Sequence, residues 1–190
     1  MTARIADGAQ HGDVIVRRWR VEDAVGLRDA IRSAAAHLRP RMPWVGEWEA
    51  VDCDPAATVR GWNADWEQGG DLVAAIEVTG ALAGSTGLHR RIGPRGLEIG
   101  YYLFPAWTGR GIATTAAGLC TDLAFADPTI DVVRIVHDVS NTPSEGIPRR
   151  LGFVHVGDET STRGQAAADV GVDRIWEVER AAWPGYASLA

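Results

Sequence analysis

A mixed α/β fold, one α+β domain built on a single mixed sheet, is predicted by three observations. The chain has 190 residues, and at roughly 150 residues per domain that length favours one unit, residues 1–190. Its middle carries three β-type runs joined by short turns, the pattern of an antiparallel meander. A helix and a strongly apolar strand follow the meander, and such a crossover makes the flanking strands parallel neighbours in one sheet.

Each element has its own local reason. Residues 1–12 lack a periodic pattern and are expected to be flexible. Val14–Trp19 reads as the first strand. Val21-Glu22-Asp23 opens a helix whose apolar residues (Val25, Leu27, Ile31, Ala34, Ala35, Leu38) recur at helical spacing until Pro40 and Pro43 stop it. Residues 44–53 read as irregular. Asp54-Pro55 then starts a second helix, because a capping carboxylate precedes a proline whose missing N–H is harmless there. It runs to Gly69-Gly70.

The meander strands are Leu72–Val78, Ala81–Arg90 and Leu97–Phe104, with turns around Gly80 and at Gly93-Pro94-Arg95-Gly96. Gly111–Ala126 is the crossover helix, ended by Asp127-Pro128, and Val132–Val136 is the apolar strand. Thr142–Leu151 is a short helix closed by Gly152, and Pro148 within it predicts a kink. Phe153–Val156 and Ile175–Val178 are the last strands, separated by a polar loop over 157–171.

Composition removes several chemistries. All 19 basic residues are arginine. Schiff-base aldolases, pyridoxal-phosphate enzymes and Walker-type ATPases each need a lysine, so these readings are excluded. The net charge of −6 argues against nonspecific binding to DNA, RNA or an anionic membrane. Cys53 and Cys120 have no CxxC or metal spacing and read as reduced thiols, with no metal expected. Charges at Arg4, Asp7, Asp13, Arg17 and Arg18 leave no apolar signal segment, and no apolar run is long enough to span a bilayer. A cytoplasmic protein is expected.

The sharpest feature is the stretch from Leu103 through Thr108-Gly109-Arg110-Gly111-Ile112-Ala113 to Thr114. A strand ends, a loop turns, and a helix begins at closely spaced glycines. Small residues let a ligand approach the backbone, and the free N–H groups of a helix start favour a phosphate. The loop lacks the Gly-Lys-Ser/Thr of a Walker motif. It also has Thr114 where a dinucleotide fingerprint has its third glycine or alanine. Read alone, the glycine pair is either a helix cap or a phosphate site.

Downstream stands Asn141-x-x-Ser144, running on to Leu151-Gly152-Phe153. Upstream lie Glu98-Ile99-Gly100-Tyr101-Tyr102-Leu103 and Met42-Pro43-Trp44, and near the end Arg180-x-x-Trp183. Together these resemble the GNAT superfamily of N-acetyltransferases, in its RimJ/RimL-like branch, over nearly the whole chain. The resemblance implies a GNAT-like domain whose central strands splay around acyl-CoA, and direct attack of a primary amine on the thioester of acetyl-CoA. It implies pyrophosphate binding by Thr108, Gly109, Arg110, Gly111, Ile112 and Ala113. Thr108 departs from the family's Gln or Arg, and Arg110 is either a phosphate ligand or a solvated side chain. Tyr101 and Leu103 are expected to present main chain to the pantetheine arm, with Gly100 either a bulge or a packing residue.

Glu98 is the candidate base implied by position, against a structural carboxylate paired with an arginine. His89 on the preceding strand is the rival base, against a packed or surface histidine. Ser144 matches the donor to the CoA sulfur, against a serine bonding its own backbone. Asn141 matches a pantetheine ligand, against an N-cap. Trp44 and Glu47, with His89, are candidates for the acceptor side, against a solvated loop, and Trp62 and Trp66 read as core packing, against an aromatic wall for a cationic acceptor. The expected partners are acetyl-CoA and an amine acceptor, a protein N-terminus or a small molecule, with monomer and homodimer both open. A non-catalytic acyl-CoA-binding module of the same fold is the alternative.

Overall fold

A computed structural model describes residues 6–163 and 165–189. One eight-stranded sheet runs in the order β1-β2-β3-β4-β5-β6-β8-β7. Its strands are β1 (Gly8–His11), β2 (Val14–Arg18), β3 (Leu72–Val78), β4 (Ala81–His89), β5 (Gly96–Leu103), β6 (Val132–Asp138), β7 (Val154–Thr160) and β8 (Val172–Glu179). The helices are α1 (Ala24–Ser33), α2 (Ala35–Leu38), α3 (Val45–Glu49), α4 (Pro55–Glu67), α5 (Ile112–Ala126) and α6 (Thr142–Arg150). All neighbouring strands are antiparallel except β5 and β6, which are parallel across the α5 crossover as the sequence predicts.

Two apolar layers sandwich the sheet. On one face α5 buries Ile112, Ala116, Leu119 and Leu123 against Leu97, Ile99 and Ile135. On the other face α1 to α4 close over Trp19, Leu27, Ile31, Val45 and Val59. Trp19 is 1% exposed and donates its indole N–H to Ser85 Oγ at 3.3 Å. Trp19→Ala removes a large buried side chain and that hydrogen bond together. The expected loss is about 3–5 kcal/mol of unfolding free energy, checked by urea titration.

The structure departs from the sequence reading where pairing, not pattern, decides. Gly8–His11 pair with β2 as an edge strand, inside the segment expected to be flexible; residues 1–5 lie outside the described residues. Edge strands are held by backbone bonds and need no apolar alternation, so the sequence gives no signal there. The helix expected over 21–38 is a 3-10 turn at Val21–Asp23 followed by α1 and α2, with the break at Ala34 (φ −94°, ψ 5°). The break lets Ile31 and Leu38 both face the same core. The stretch read as irregular contains α3, and β7 runs on to Thr160 with nearly every residue exposed.

Gly100 is not a bulge. The β4–β5 register is regular from Gly84↔Leu103 to His89↔Glu98, and the irregularity falls at Ile76/Glu77 between β3 and β4. Instead the central strands part on the other side of β5. Its pairing with β6 stops at Ile99↔Ile135, although β5 continues to Leu103 and β6 to Asp138. The splay expected of the central strands is therefore present.

Arg180 and Trp183, from the terminal motif, act structurally. The Arg180 guanidinium donates to the carbonyls of Phe125, Asp127 and Ile130, and Trp183 donates its indole N–H to Asp122 Oδ1 at 2.7 Å. Both tie the end of the chain to α5. Among the described residues, no helix is long and apolar enough to cross a membrane.

Candidate active site

The loop before α5 is built as the glycine spacing predicts. Gly109 (φ 71°) and Gly111 (φ 77°) occupy left-handed conformations that cost other residues energy. A Cβ on either would meet nothing within 4 Å, so the space before the helix is open. The first intraprotein bond at this helix start is from Thr115 N–H to Gly111 O, which leaves the amides of Ile112, Ala113 and Thr114 without an acceptor in the described residues. The positive helix end and these amides form an anion cradle.

The side chains of the loop are mostly engaged elsewhere. Thr108 Oγ1 donates to Pro105 O at 2.9 Å, within its own turn. The Arg110 guanidinium lies 4.8 Å from the centre of the Trp107 ring, a cation–π contact on an exposed surface. Ile112 packs into the core and Ala113 lies against it, so these two offer only backbone to a ligand.

From the cradle a groove follows the gap between β5 and β6. The Phe104 amide donates to Ala83 O, and Thr86 Oγ1 donates to Gly100 O, so Gly100, Tyr102 and Phe104 direct their peptide groups toward β4. Alternation along the strand turns those of Tyr101 and Leu103 into the gap. Across the gap, α6 supplies Asn141 and Ser144. Asn141 caps the helix with its carbonyl, which accepts from Ser144 N–H, but its side chain makes no capping bond.

The Ser144 and Tyr101 hydroxyls share a 2.8 Å hydrogen bond. Burial pushes the Tyr101 hydroxyl up to about 12, against the opposing influences of Ser144 and the Arg150 charge. At neutral pH this pair is a protonated donor. The side chain of Tyr101 was missed by sequence reasoning, since nothing local shows that a strand tyrosine meets a helix serine 43 residues later.

Below the gap opens a cavity of about 530 Å³ on the α1–α4 side of the sheet. Gly87 and Gly100 are registered neighbours on β4 and β5 and form its bare floor. His89 looks over them. Its Nδ1 lies 2.7 Å from Asp71 Oδ2, and Asp71 Oδ1 accepts the Arg90 N–H at 2.8 Å. Partial burial alone would raise the Asp71 pKa, but the His89 and Arg90 hydrogen bonds hold its carboxyl below the ordinary range. Asp71 was not singled out in the sequence; it precedes β3, and its partner is 18 residues away.

Glu98 sits opposite His89 on β5 yet is enclosed. Its side chain is 3% exposed, and Arg163 grips both oxygens at 2.8 and 2.6 Å while Arg91 adds a bond at 3.1 Å. It lines a second, neighbouring hollow rather than the cavity under His89.

The acceptor-side candidates fall on the cavity wall. The Trp44 ring is 5.2 Å from that of Tyr102, and Glu47 lies exposed at the rim one turn further along the chain. Trp62 stacks on Trp48 at 5.9 Å and also borders the cavity. Trp66 does not; it is buried and donates to Asp7 Oδ1 at 3.0 Å.

The chain is similar to known proteins in sequence and in fold. The chain is 25% identical over 146 residues to "Putative ribosomal N-acetyltransferase YdaF" of Bacillus subtilis (strain 168), covering 76% of this chain and 79% of that protein. Its fold matches Mycobacterium smegmatis RimJ in complex with CoA-disulfide, with a TM-score of 0.79, 21% identity, and coverage of 93% and 87%. It likewise matches the microcin C7 self-immunity acetyltransferase MccE in complex with acetyl-CoA and AMP, with a TM-score of 0.80, 18% identity, and coverage of 89% and 93%. The family model of the acetyltransferase (GNAT) domain matches residues 13–154. The chain therefore belongs to the GNAT acetyltransferase family.

Proposed function

We propose that this protein transfers the acetyl group of acetyl-CoA to a primary amine by direct attack, in the cytoplasm. The observation that carries the reading is continuity. A helix N-terminus with free amides leads into a strand gap edged by the peptide groups of Tyr101 and Leu103, and the gap ends over the His89 cavity. The pyrophosphate sits on the amides of residues 109–113, with Thr108 and Arg110 at its edge. The pantetheine arm lies along Tyr101, Leu103 and Asn141.

The chemistry needs a base for the amine, donors for the developing oxyanion and a proton for the departing thiolate. The Tyr101–Ser144 hydroxyl pair, protonated and next to the gap, supplies the last. Trp44 and Glu47 border the acceptor amine, which belongs to a protein N-terminus, in keeping with the name ribosomal N-acetyltransferase of the YdaF relative, or to a small molecule, as the MccE complex with AMP allows.

Acetyl-CoA should raise the thermal midpoint, since a ligand at a hundredfold its Kd adds about 2.7 kcal/mol. A midpoint unmoved by saturating acetyl-CoA removes the assignment. An amine panel of N-terminal peptides and small amines, read by thiol release, then identifies the acceptor. Binding of acetyl-CoA with silence across the panel favours a non-catalytic acyl-CoA module.

A further inference from the structure

The following rests on the acetyltransferase reading and assigns its proton acceptor. We propose that His89, held by Asp71, is the general base for the acceptor amine, and that Glu98 is instead the buried anchor of Arg91 and Arg163. Asp71 is a positioning residue in this arrangement, fixed through its bond from the Arg90 amide.

Three observations converge. The Asp71 carboxylate accepts from Nδ1–H and so leaves the Nε2 lone pair free to receive a proton. Nε2 lies over the glycine floor of the cavity, in a place it can occupy only because both positions lack a side chain: a Cβ on Gly87 would come within 2.9 Å of it, and one on Gly100 within 3.3 Å. Gly100 is also the first β5 residue past the last β5–β6 pair, so the imidazole resting on it adjoins the mouth of the gap.

Glu98 has the right strand and the wrong surroundings. Its oxygens already accept three guanidinium bonds, and Arg91 and Arg163 stand between it and the cavity. The charged groups around His89 are Asp71 at the start of β3, Glu98 across on β5, Arg91 in the β4–β5 turn and Arg163 after β7. The cavity lining adds Glu47 on α3, Arg41 after α2, His137 and Asp138 on β6, Asp169 before β8 and Asp173 on β8.

In the step itself the amine lone pair forms the N–C bond at the thioester carbonyl, and the amine proton passes to His89 Nε2. The C–S bond breaks with its electron pair on sulfur, and the thiolate takes a proton from the Tyr101–Ser144 pair. His89 releases its proton to solvent, from which the hydroxyl pair is replenished. An amide and free CoA result.

The test compares His89→Gln, Asp71→Asn, Glu98→Gln and Gly100→Ala, using acetyl-CoA and the best amine of the panel, with kcat and KM separated across the neutral pH range. His89→Gln should lower kcat by about 10²–10⁴-fold, remove the acid limb of the kcat/KM profile, and keep the acetyl-CoA thermal shift. Asp71→Asn should lower kcat less and abolish the Nδ1–H tautomer of His89 in ¹⁵N spectra, which a merely structural carboxylate would leave in place. Glu98→Gln should lose thermal stability and retain the acid limb.

Gly100→Ala presses a methyl group against the His89 imidazole, shifting Nε2, and should cut kcat/KM while CoA still binds; it carries the test should His89→Gln not fold. Wild-type kcat and an intact acid limb in His89→Gln overturn the proposal. So does an acid limb lost in Glu98→Gln alone, or an unchanged kcat/KM in Gly100→Ala. A wild type that acetyl-CoA does not stabilise overturns the acetyltransferase reading instead.

Discussion

Gly111→Trp is expected to abolish the stabilisation of this protein by acetyl-CoA while leaving it folded. Gly111 caps α5 at φ 77°, ψ −8°, a conformation that costs an L-residue roughly 1–2 kcal/mol. That cost is small against the typical 5–15 kcal/mol stability of a domain. Nothing lies within 4 Å of the position its Cβ would take, so a side chain there starts into open space. It extends into the same open space that a pyrophosphate needs in front of the amides of Ile112, Ala113 and Thr114. The measurement is the thermal midpoint with and without saturating acetyl-CoA, for wild type and variant. A variant that still gains the wild-type increment would place the pyrophosphate elsewhere.

Asp138→Ala should have the largest effect on stability among the polar residues near the site. The Asp138 side chain is 5% exposed, at the end of β6. It accepts from the Ser140 amide at 2.9 Å, from Val170 at 3.0 Å and from Gly171 at 2.9 Å, as well as from the Ser140 hydroxyl. One carboxylate thus fastens the chain entering β8 to the strand that lines the cavity. Truncation strands several donors at once, and at about 1–3 kcal/mol for each group left unsatisfied the expected loss is on the order of 3–5 kcal/mol.

The same contacts predict the sign of a pH effect. Burial by itself raises the Asp138 pKa, but the hydrogen bonds from Ser140, Val170 and Gly171 outweigh it and hold the carboxyl well below the ordinary range. A carboxylate depressed on folding contributes stability above its unfolded pKa, near pH 4, and loses that contribution as pH falls toward the folded value. Urea titrations should therefore show the gap between wild type and Asp138→Ala widest at neutral pH and closing below about pH 4. A gap under about 1 kcal/mol at neutral pH would show that water or a rearranged loop takes over these donors.

Much of the site was legible because its signals are contiguous. The strand–loop–helix unit around Gly109 and Gly111 needs only two positive φ angles and a helix start, and glycine spacing encodes both. Asn141 and Ser144 follow from the start of α6. Glu98 was legible as a residue, but its surroundings were not: its partner Arg163 lies 65 residues on, in a loop whose path no local pattern fixes. The His89–Asp71 contact was hidden for a related reason: it joins the end of β4 to the residue before β3, and only the β3–β4 register brings them together.

The division is physical. By itself the sequence determined α4, α5 and α6, the meander strands, the parallel β5–β6 crossover and the glycine-flanked start of α5. These follow from periodicity, capping and φ preferences, each acting over a few residues. Tertiary structure alone decided the edge strand β1, the break between α1 and α2, the short helix α3, the full length of β7, the parting of β5 and β6 after Ile99, and the clamping of Glu98 by Arg91 and Arg163. Those outcomes depend on strand register and on charge pairs between distant segments. A one-residue change of register would turn every side chain on a strand to the other face, and nothing within a single segment specifies its partner.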